Sequence, residues 1–430
     1  MSRVDLAGVS RNNGAMAKLF SFVIALLCAV PMFAENWPSF RGPTRQGIST
    51  EMSVPLHWSP TNAIKWKTAI PGQGWSSPVV WGDHIFVTSA TDGGTKCHVI
   101  CIDRPSGKII WDKEVFEQVP LRKEGKNSYA TPTPATDGES VFAVFGDGSV
   151  VALDFSGKVR WTNRDVKFYS QHGLGASPML WNDLLIMPYD GSSQGEDKRV
   201  GWQKPWDQSF VLALDLKTGT QRWKASRGMS RIAHVSPILF KSKEVWQIIS
   251  AAGDVVQAFD PRTGNRIWSA FSQGEGVVPS PVASSNLIYT ASGFEKSTIR
   301  AIKAGGSGDV TQTHIAWEQR KAVPSMPSFV YADPHLYSIT EGGVAQCLKG
   351  DTGEIVWQER IGGNHSASPV LAEGRIYFLS EEGESAVIAA APEFKLLARN
   401  SIGERCQASI AVSSGMIFIR GEKHLFAISR

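Results

Sequence analysis

The sequence predicts an all-β fold, an eight-bladed β-propeller built from four-stranded antiparallel blades. Two recurring signals lead to this prediction. The first is a strand start marked by proline, usually Ser-Pro before an apolar residue, which returns at intervals of roughly 40–50 residues. The second is a glycine turn that leads into a strand containing tryptophan. Short strands at this period indicate a propeller, because one such blade cannot bury both of its faces alone.

The first signal predicts the inner strand of each blade. A proline at the first residue of a strand removes no hydrogen bond from the ladder, so it is tolerated there. The strand starts begin at Ser77, Thr133, Ser177, Ser236, Ser280, Met326, Ser368 and, in degenerate form, Ala408. The blades are predicted over residues 76–116, 130–166, 176–227, 235–272, 279–320, 325–360, 367–400 and 408–428.

The second signal predicts how neighbouring blades are held together. In turns such as DLKTGTQRW, aspartate accepts backbone N–H groups and glycine supplies a positive φ. The tryptophan that follows offers a large flat surface, which we expect to be buried against the neighbouring blade. These blade-docking residues are Trp66, Trp111, Trp161, Trp223, Trp268, Trp317 and Trp357. Two blades depart from the pattern: blade 7 has Leu396-Leu397 in place of tryptophan, and blade 5 lengthens its last turn over residues 304–309.

The last blade is predicted to be completed by the beginning of the chain. Its own sequence supplies three strands, from Ala408 to Ile428. Residues 63–67, which contain the unmatched Trp66, are predicted as the fourth. An N-terminal strand joined to the C-terminal blade closes the ring and removes the last sheet edge. We therefore expect an N-terminal extension over residues 35–61 and the propeller over residues 62–430.

The N-terminus is predicted to be a signal peptide, residues 1–34, with Met16 as an alternative start. Lys18 precedes an apolar run from Leu19 to Val30, which is too short to span a bilayer. The protein is therefore expected in the periplasm or outside the cell, without a transmembrane span. A lipid anchor at Cys28 is not expected, because leucine precedes it where a small residue is usual.

Composition narrows the classes of partner. The hydrophobic content of 42%, the charged content of 20% and the formal net charge of +4 are those of an ordinary soluble domain. There is no basic stripe, so nucleic acid is not expected as a partner, and a monomer is expected. The remaining cysteines, Cys97, Cys101, Cys347 and Cys406, are interpreted as small buried hydrophobic residues, with a cross-blade disulfide as the alternative.

Two groups of residues are candidates for binding. Residues just before the inner strands should converge at one mouth of the central channel, and they are Trp75, Tyr129, His172, His234, Glu275, His365 and Arg405. Such a ring suits a small anion, a metal or a peptide tip, although each histidine taken alone is better explained as a satisfied turn or channel residue. The polar insertion from Asp190 to Gln208 is a candidate interaction loop through Trp202 and Trp206, unless both fold back onto their own blade.

The repeated D-x-x-T-G-x-x-x-W turn resembles that of the quinoprotein-type (pyrroloquinoline-quinone-like) propeller family over nearly the whole chain. The opening residues WPSFRGP at 37–43 and Gly47-Ile48-Ser49 resemble the front end of exported members. The resemblance implies one of two branches. Quinoprotein dehydrogenases hold the quinone and calcium in the propeller, whereas the BamB branch is a catalytically silent scaffold that binds partners of the outer-membrane assembly machine.

The dehydrogenase branch fits this sequence less well. Its quinone usually stacks on a ring formed by two adjacent cysteines, which this chain lacks, and the repeated aspartates are explained by turns. We therefore predict a non-catalytic, BamB-like scaffold for envelope or outer-membrane proteins, without catalytic residues, cofactor or metal. The missing lipid-attachment pattern departs from BamB. The alternatives are a quinone- and calcium-dependent alcohol or sugar dehydrogenase, and a secreted propeller that binds polysaccharide or peptide.

Overall fold

The computed structural model describes residues 35–274 and 276–430. Its strands form eight sheets in a ring, each built on four antiparallel strands, and in seven of them the strands follow in sequence order from the axis outward. Within the described residues the one helical element is a 3-10 turn, Asp92–Gly94. The prediction of an all-β, eight-bladed propeller is confirmed. The predicted signal peptide (1–34), Met16, Cys28 and the candidate Glu275 lie outside the described residues.

The blades are numbered along the chain, and their strands are given from the axis outward. Blade 1 consists of Val79–Trp81, His84–Thr91, Lys96–Asp103 and Ile109–Glu117, and blade 2 of Ala135–Thr136, Ser140–Val144, Val150–Asp154 and Val159–Asn163. Blade 3 consists of Met179–Trp181, Leu184–Tyr189, Phe210–Asp215 and Gln221–Ser226, and blade 4 of Ile238–Ser242, Val245–Ala251, Val255–Phe259 and Arg266–Phe271. Blade 5 consists of Val282–Ala283, Leu287–Ser292, Thr298–Lys303 and Ile315–Gln319. Blade 6 consists of Val330–Ala332, His335–Ile339, Val344–Lys349 and Ile355–Arg360, and blade 7 of Val370–Ala372, Arg375–Leu379, Glu384–Ala389 and Leu396–Ser401.

Blade 8 is completed by the N-terminal strand, as the sequence predicts. Its strands are Ala411–Ser413, Met416–Arg420, His424–Ile428 and, outermost, Ile64–Ala69. The outermost strand pairs antiparallel with its neighbour, from Ile64 opposite Ile428 to Ala69 opposite His424. Two short parallel strands extend other sheets: Ile48–Ser49 joins the inner strand of blade 7, and Gly308–Asp309 joins the outer strand of blade 4.

The outer-strand tryptophans contact the blade that follows. Trp66 of blade 8 donates its Nε1–H to the carbonyl of Arg104 in blade 1 across 2.9 Å. Gly107 in that turn has φ +74°, and a Cβ there would lie 2.5 Å from the Trp66 ring. Glycine is therefore needed both for the turn and for the close approach of the indole. The same hydrogen bond to a carbonyl of the next blade is made by Trp111, Trp161, Trp223, Trp317 and Trp357.

Trp268 of blade 4 is different. Its Nε1–H donates to Oε1 of Gln247 in its own blade, at 3.1 Å. The longer last turn of blade 5 explains the difference, because its residues Gly308–Asp309 run parallel to the outer strand of blade 4 beside Trp268. The indole is only 1% exposed, so it is still buried at this junction.

Blade 7 has no tryptophan in its outer strand, and the N-terminal segment supplies one instead. The ring of Trp58 stacks on Tyr377 of blade 7, with centroids 6.4 Å apart and an interplanar angle of 15°. The backbone N–H of Trp58 donates to Oδ1 of Asn400, at 2.9 Å. Trp58 lies in one hydrophobic cluster with residues of blades 7 and 8, so it fills this junction.

A belt of hydrogen bonds joins the blades near the axis. In each blade the backbone N–H of the serine or threonine that starts the inner-strand segment donates to the hydroxyl of its counterpart in the next blade. The distances lie between 2.8 and 3.2 Å. The series runs through Ser77, Thr133, Ser177, Ser236, Ser280, Ser328, Ser368 and Ser409. We call it the hydroxyl belt.

Residues 37–49 lie across the end of the channel where the inner strands finish. Oxygen atoms of this segment accept hydrogen bonds of 2.6–2.9 Å from backbone N–H groups in blades 1, 2, 5 and 7. The blade residues that donate are Val80, Thr136, Ala283 and Leu371. Blades 1 and 5 face each other across an eight-membered ring, so the segment crosses the axis. We call it the axial plug.

The cysteines of the described chain are buried and unpaired. Cys97 and Cys101 share one strand of blade 1, Lys96–Asp103, where a disulfide between them is out of reach. Burial raises the pKa of Cys101 and of Cys347 to about 12, so both stay as thiols at neutral pH. This agrees with their interpretation as small buried hydrophobic residues. No helix in the described ranges is long and apolar enough to cross a membrane.

Candidate functional site

A loop covers the mouth of the channel, at the end where the inner strands begin. It comprises residues 118–134, between blades 1 and 2, and we call it the mouth loop. Asn127 donates its Nδ2–H to the carbonyl of His172 in the connection to blade 3, at 2.8 Å. Lys126 forms an ion pair with Glu381 of blade 7, at 2.7 Å. Blades 3 and 7 face each other across the ring, so the mouth loop spans the opening.

The insertion, residues 190–208, folds back over the mouth beside this loop. Trp206 exchanges two backbone hydrogen bonds with Ser230, at 2.8 and 3.0 Å, in the connection from blade 3 to blade 4. In the same connection, the N–H of Ile232 donates to the carbonyl of Gly201 at 2.6 Å. Trp202 and Trp206 are consequently half-buried. The insertion is thus packed against the propeller while still presenting part of both indoles to solvent.

A buried ion pair holds the base of the insertion. Arg227 forms a two-pronged contact with Asp190, and neither side chain is more than 1% exposed. Arg227 also donates to Oγ of Ser250 in blade 4, at 2.7 Å. Burial raises the pKa of Asp190 to about 6, and the guanidinium of Arg227 opposes this rise. The pair therefore ties the first residue of the insertion to two neighbouring blades.

Three of the candidate residues come together at the mouth. The ring of Trp202 meets that of His172 edge to face, with centroids 5.6 Å apart. The ring of His172 lies 6.1 Å from that of His234. The Nδ1 atom of His234 is shut off from solvent and has no hydrogen-bond partner. Two of the three histidines expected at the mouth, His172 and His234, and one tryptophan expected in a separate loop thus form a single cluster, which we call the mouth cluster.

The mouth cluster is uncharged at neutral pH. Burial, together with a smaller effect of the neighbouring His172, lowers the pKa of His234 to about 3. Burial also lowers the pKa of His172, although Glu124 in the mouth loop opposes this. Neutral imidazoles offer one donor and one acceptor each. Beside an indole edge, they are suited to a polar, uncharged group such as a peptide amide or a hydroxyl.

The other candidates of the mouth have different surroundings. The guanidinium of Arg405 lies 5.8 Å from the ring centroid of Trp75 as a cation–π pair. Tyr129 is packed inside the mouth loop, where its hydroxyl donates to the carbonyl of Leu121 at 2.8 Å. His365 is buried, and its two ring nitrogens face the carbonyls of Leu379 and Gly362. The structure therefore places these residues in contacts of their own and outside the mouth cluster.

A cleft of about 550 Å³ opens beside the insertion, between the connection that leads into blade 3 and blade 3 itself. Its aromatic lining consists of Phe168, Tyr169, Tyr189, Trp206 and Phe210. Its polar lining includes Asn163, Gln194, Gln208, Gln221 and the two lysines Lys167 and Lys224. Aromatic faces combined with amides suit a sugar ring or an extended peptide. We call this the lateral cleft.

Of the residues in the lateral cleft, only Trp206 is a binding candidate on the sequence alone. The other aromatic residues belong to ordinary strands and to a blade connection, and nothing in their spacing distinguishes them. The one available signal was length, because the long insertion follows closely on a long connection between residues 163 and 179. Two long segments at neighbouring positions of the ring can enclose a cleft between them.

The described residues do not match the requirements of a quinone and calcium site. Calcium needs six to eight converging oxygen ligands. Across residues 35–274 and 276–430, no three His, Cys, Asp or Glu side chains lie together as metal ligands would. Of the cysteines, Cys97 and Cys101 are the nearest in sequence, and they are not adjacent. We therefore assign no residue of this chain to either group.

Comparisons with known proteins point to two classes of relative. BamB from Bordetella pertussis (strain Tohama I) is 23% identical over 397 residues, which cover 88% of this chain and 86% of that protein. Methanol dehydrogenase (cytochrome c) subunit 1 from Paracoccus denitrificans is 27% identical over 158 residues, which cover 35% of this chain and 22% of that protein.

Solved structures of both classes share the fold. The crystal structure of BamB from Moraxella catarrhalis superimposes with a TM-score of 0.60 at 13% identity, over 85% of this chain and 97% of that one. A quinohemoprotein alcohol dehydrogenase from Pseudomonas putida HK5 gives a TM-score of 0.61 at 10% identity, over 92% of this chain and 80% of that one. At these identities the likeness shows the fold alone.

One family profile matches the sequence. It is described as outer membrane protein assembly factor BamB, and it matches residues 59–238 and 295–393, more than half of the chain. These ranges contain the mouth loop, the insertion and the mouth cluster. The chain therefore belongs to the BamB family of pyrroloquinoline-quinone-like β-propellers.

Proposed function

We propose that this protein is an exported, non-catalytic scaffold that binds partner proteins in the cell envelope. The observation that carries the proposal is the extent of the match. The match to the relative named for outer membrane protein assembly covers 86% of that protein, whereas the match to the dehydrogenase relative covers 22% of that protein. By inference from that name, proteins of outer-membrane assembly are the proposed partners.

The mouth face, where the mouth loop and the insertion lie, is the proposed binding surface. The mouth cluster is uncharged, and Trp202 and Trp206 are half-buried. Two apolar side chains nearby in the fold are strongly exposed: Val119 of the mouth loop (72%) and Met229 of the connection after blade 3 (60%). Half-exposed tryptophans on a loop that is fixed by hydrogen bonds are typical anchors of protein interfaces. A small ligand at the mouth cluster is compatible with this role.

A quantitative pull-down tests the proposed surface. The double variant Trp202→Ala/Trp206→Ala should lose most of the envelope proteins that the unaltered protein retains, while the far-ultraviolet circular dichroism of the propeller is preserved. Trp246→Ala is the matched control, because Trp246 is 43% exposed and lies at the start of a second strand, on the opposite face of the ring. Equal capture by both variants would remove the insertion from the interface.

A second candidate function is binding of polysaccharide or peptide, favoured by the lateral cleft. The half-buried aromatic side chains Tyr169 and Trp206 of its lining would supply the stacking surface. Affinity electrophoresis through gels containing cell-wall polysaccharide tests this function. Retardation of the unaltered protein but not of Trp206→Ala would support a secreted binder, and equal mobility in all gels would exclude those polysaccharides as ligands.

The dehydrogenase alternative has a direct test of its own. A ligand that binds only the folded state raises the unfolding midpoint, by an amount that corresponds to about 2.7 kcal/mol at a hundredfold excess over the dissociation constant. Thermal unfolding with pyrroloquinoline quinone and calcium should show no such rise if the scaffold proposal is correct. A saturable rise accompanied by dye reduction would replace the scaffold proposal with an enzymatic one.

A further inference from the structure

Two arginines of the axial plug, one buried and one half-buried, have no acidic partner among the described residues. Arg41 is 1% exposed. Its Nη2 donates to the carbonyl of Gln46, at 2.8 Å, and to that of Phe329 in blade 6. Arg45 is half-buried, and its Nη2 donates to the carbonyl of Leu180 in blade 3, at 2.5 Å. Neither guanidinium forms an ion pair with any carboxylate of the described chain.

These hydrogen bonds leave N–H groups of both guanidinium groups without an acceptor. Nε and Nη1 of Arg41, and Nε of Arg45, are shut off from solvent and have no hydrogen-bond partner. The guanidinium of Arg41 is closely confined, because a Cβ at Gly47 would lie 2.6 Å from its Nη2. The side chain therefore cannot turn toward solvent without displacing the plug.

Both arginines keep their charge at neutral pH. Burial lowers the pKa of Arg41 to about 9 and that of Arg45 to about 10, and burial is the only cause of either shift. Each pKa remains above 7, so two positive charges stay inside the channel. A buried charge is costly unless it is paired as well as hydrogen-bonded. Backbone carbonyls satisfy N–H groups, but they do not supply the missing negative charge.

We propose that the axial plug holds a small inorganic anion, a halide or a compact oxyanion, against the free Nε and Nη1 groups of Arg41. Charge-assisted hydrogen bonds from a guanidinium to an anion are shorter and stronger than those to neutral acceptors. The anion would neutralise the plug and stabilise its contacts across the ring. This inference is independent of the proposed scaffold function.

The test is thermal unfolding of the full chain, with chloride exchanged for gluconate at constant ionic strength. We expect a saturable rise in Tm of about 2 °C or more as chloride increases, because the anion binds the folded state. Arg41→Met, which removes the charge but retains much of the volume, should abolish the dependence on chloride. Arg222→Met is the control, since Arg222 is an exposed arginine at a distant site, and it should retain the dependence.

If Arg41→Met does not fold, a crystal of the unaltered protein soaked in bromide tests whether an anion binds at Arg41. An anomalous peak within hydrogen-bond distance of Nε or Nη1 of Arg41 is the expected result. Its absence at a bromide concentration that saturates the rise in Tm would overturn the proposal and leave water as the occupant. A chloride dependence of equal size in the unaltered protein and in Arg41→Met would also overturn it, as a general salt effect.

Discussion

The backbone N–H of Ser409 donates to Oγ of Ser77 across 3.0 Å, between the last blade and the first. This bond completes the hydroxyl belt, so the series that starts at Ser77 returns to it after passing through all eight blades. Both residues are buried, and water cannot replace the bond. The ring is therefore closed twice: near the axis by this bond, and at the periphery by the strand Ile64–Ala69 in blade 8.

The hydroxyl belt predicts a cost for removing one of its members. Ser177→Ala deletes the acceptor for the N–H of Thr133 and leaves that buried donor unsatisfied. We expect a loss of about 1–3 kcal/mol in the free energy of unfolding, measured by urea denaturation. Ser307→Ala, at an exposed serine in the long turn of blade 5, should leave the free energy unchanged. Similar losses in both variants would show that the belt adds no stability.

Ring closure predicts a strong effect at Trp66. Trp66→Ala removes the indole that contacts Gly107 and donates to the carbonyl of Arg104 in blade 1. Because this contact joins the two ends of the chain, we expect a loss of about 2–4 kcal/mol, seen as a lower urea midpoint for the whole domain. Trp246→Ala serves as control. A loss at Trp66 no larger than at Trp246 would contradict the closing role of the N-terminal strand.

The ion pair at the base of the insertion predicts a local and a global effect. Asp190→Asn leaves the charge of Arg227 buried without its counter-ion, at a cost of about 3–5 kcal/mol. Hydrogen exchange should also become faster over residues 190–208. Arg222→Met breaks exposed contacts with Asp183 and Asp215 and should cost far less. Unchanged exchange in the insertion would mean that the pair does not hold it.

His234 predicts a dependence of stability on pH. Its pKa is about 3 in the folded protein and about 6.5 in an unfolded chain. Between these values the unfolded chain binds a proton that the folded protein does not, so the free energy of unfolding falls as pH decreases from about 6.5 toward 3. Between pH 7.5 and 4.5, His234→Asn should lose about 2–3 kcal/mol less than the unaltered protein.

The control for this measurement is His57→Asn, because His57 is exposed on the N-terminal segment. It should follow the pH dependence of the unaltered protein, which is measured by urea denaturation at each pH. If His234→Asn also followed that curve, His234 would not be held neutral by burial at the mouth.

The sequence was sufficient for the blades because their determinants are local. Proline at a strand start, glycine in a tight turn and tryptophan after it all act within a few residues, and they recur in register. The closing strand could also be predicted, since Trp66 was a docking residue without a blade of its own. It begins one residue later than expected, at Ile64 instead of Ala63, and it continues to Ala69.

The remaining features depend on contacts between residues distant in sequence. The axial plug has no alternating pattern, and its partners include Val80 and Ala283 on opposite blades. Trp58 replaces the missing tryptophan of blade 7, although it precedes Tyr377 by more than three hundred residues. The mouth cluster could be predicted only in part. The positions of His172 and His234 before inner strands placed them at the mouth, but the fold of the insertion decided that Trp202 meets them.

The most direct test of the proposed scaffold is site-specific photo-crosslinking in the native cell. A photoreactive residue would replace Gln203, which is exposed between Trp202 and Trp206 on the mouth face. The control position is Lys217, exposed in the last turn of the same blade on the opposite face. We expect a discrete adduct with an envelope protein from position 203 and none from position 217. No adduct from position 203, or the same adduct from both positions, would contradict it.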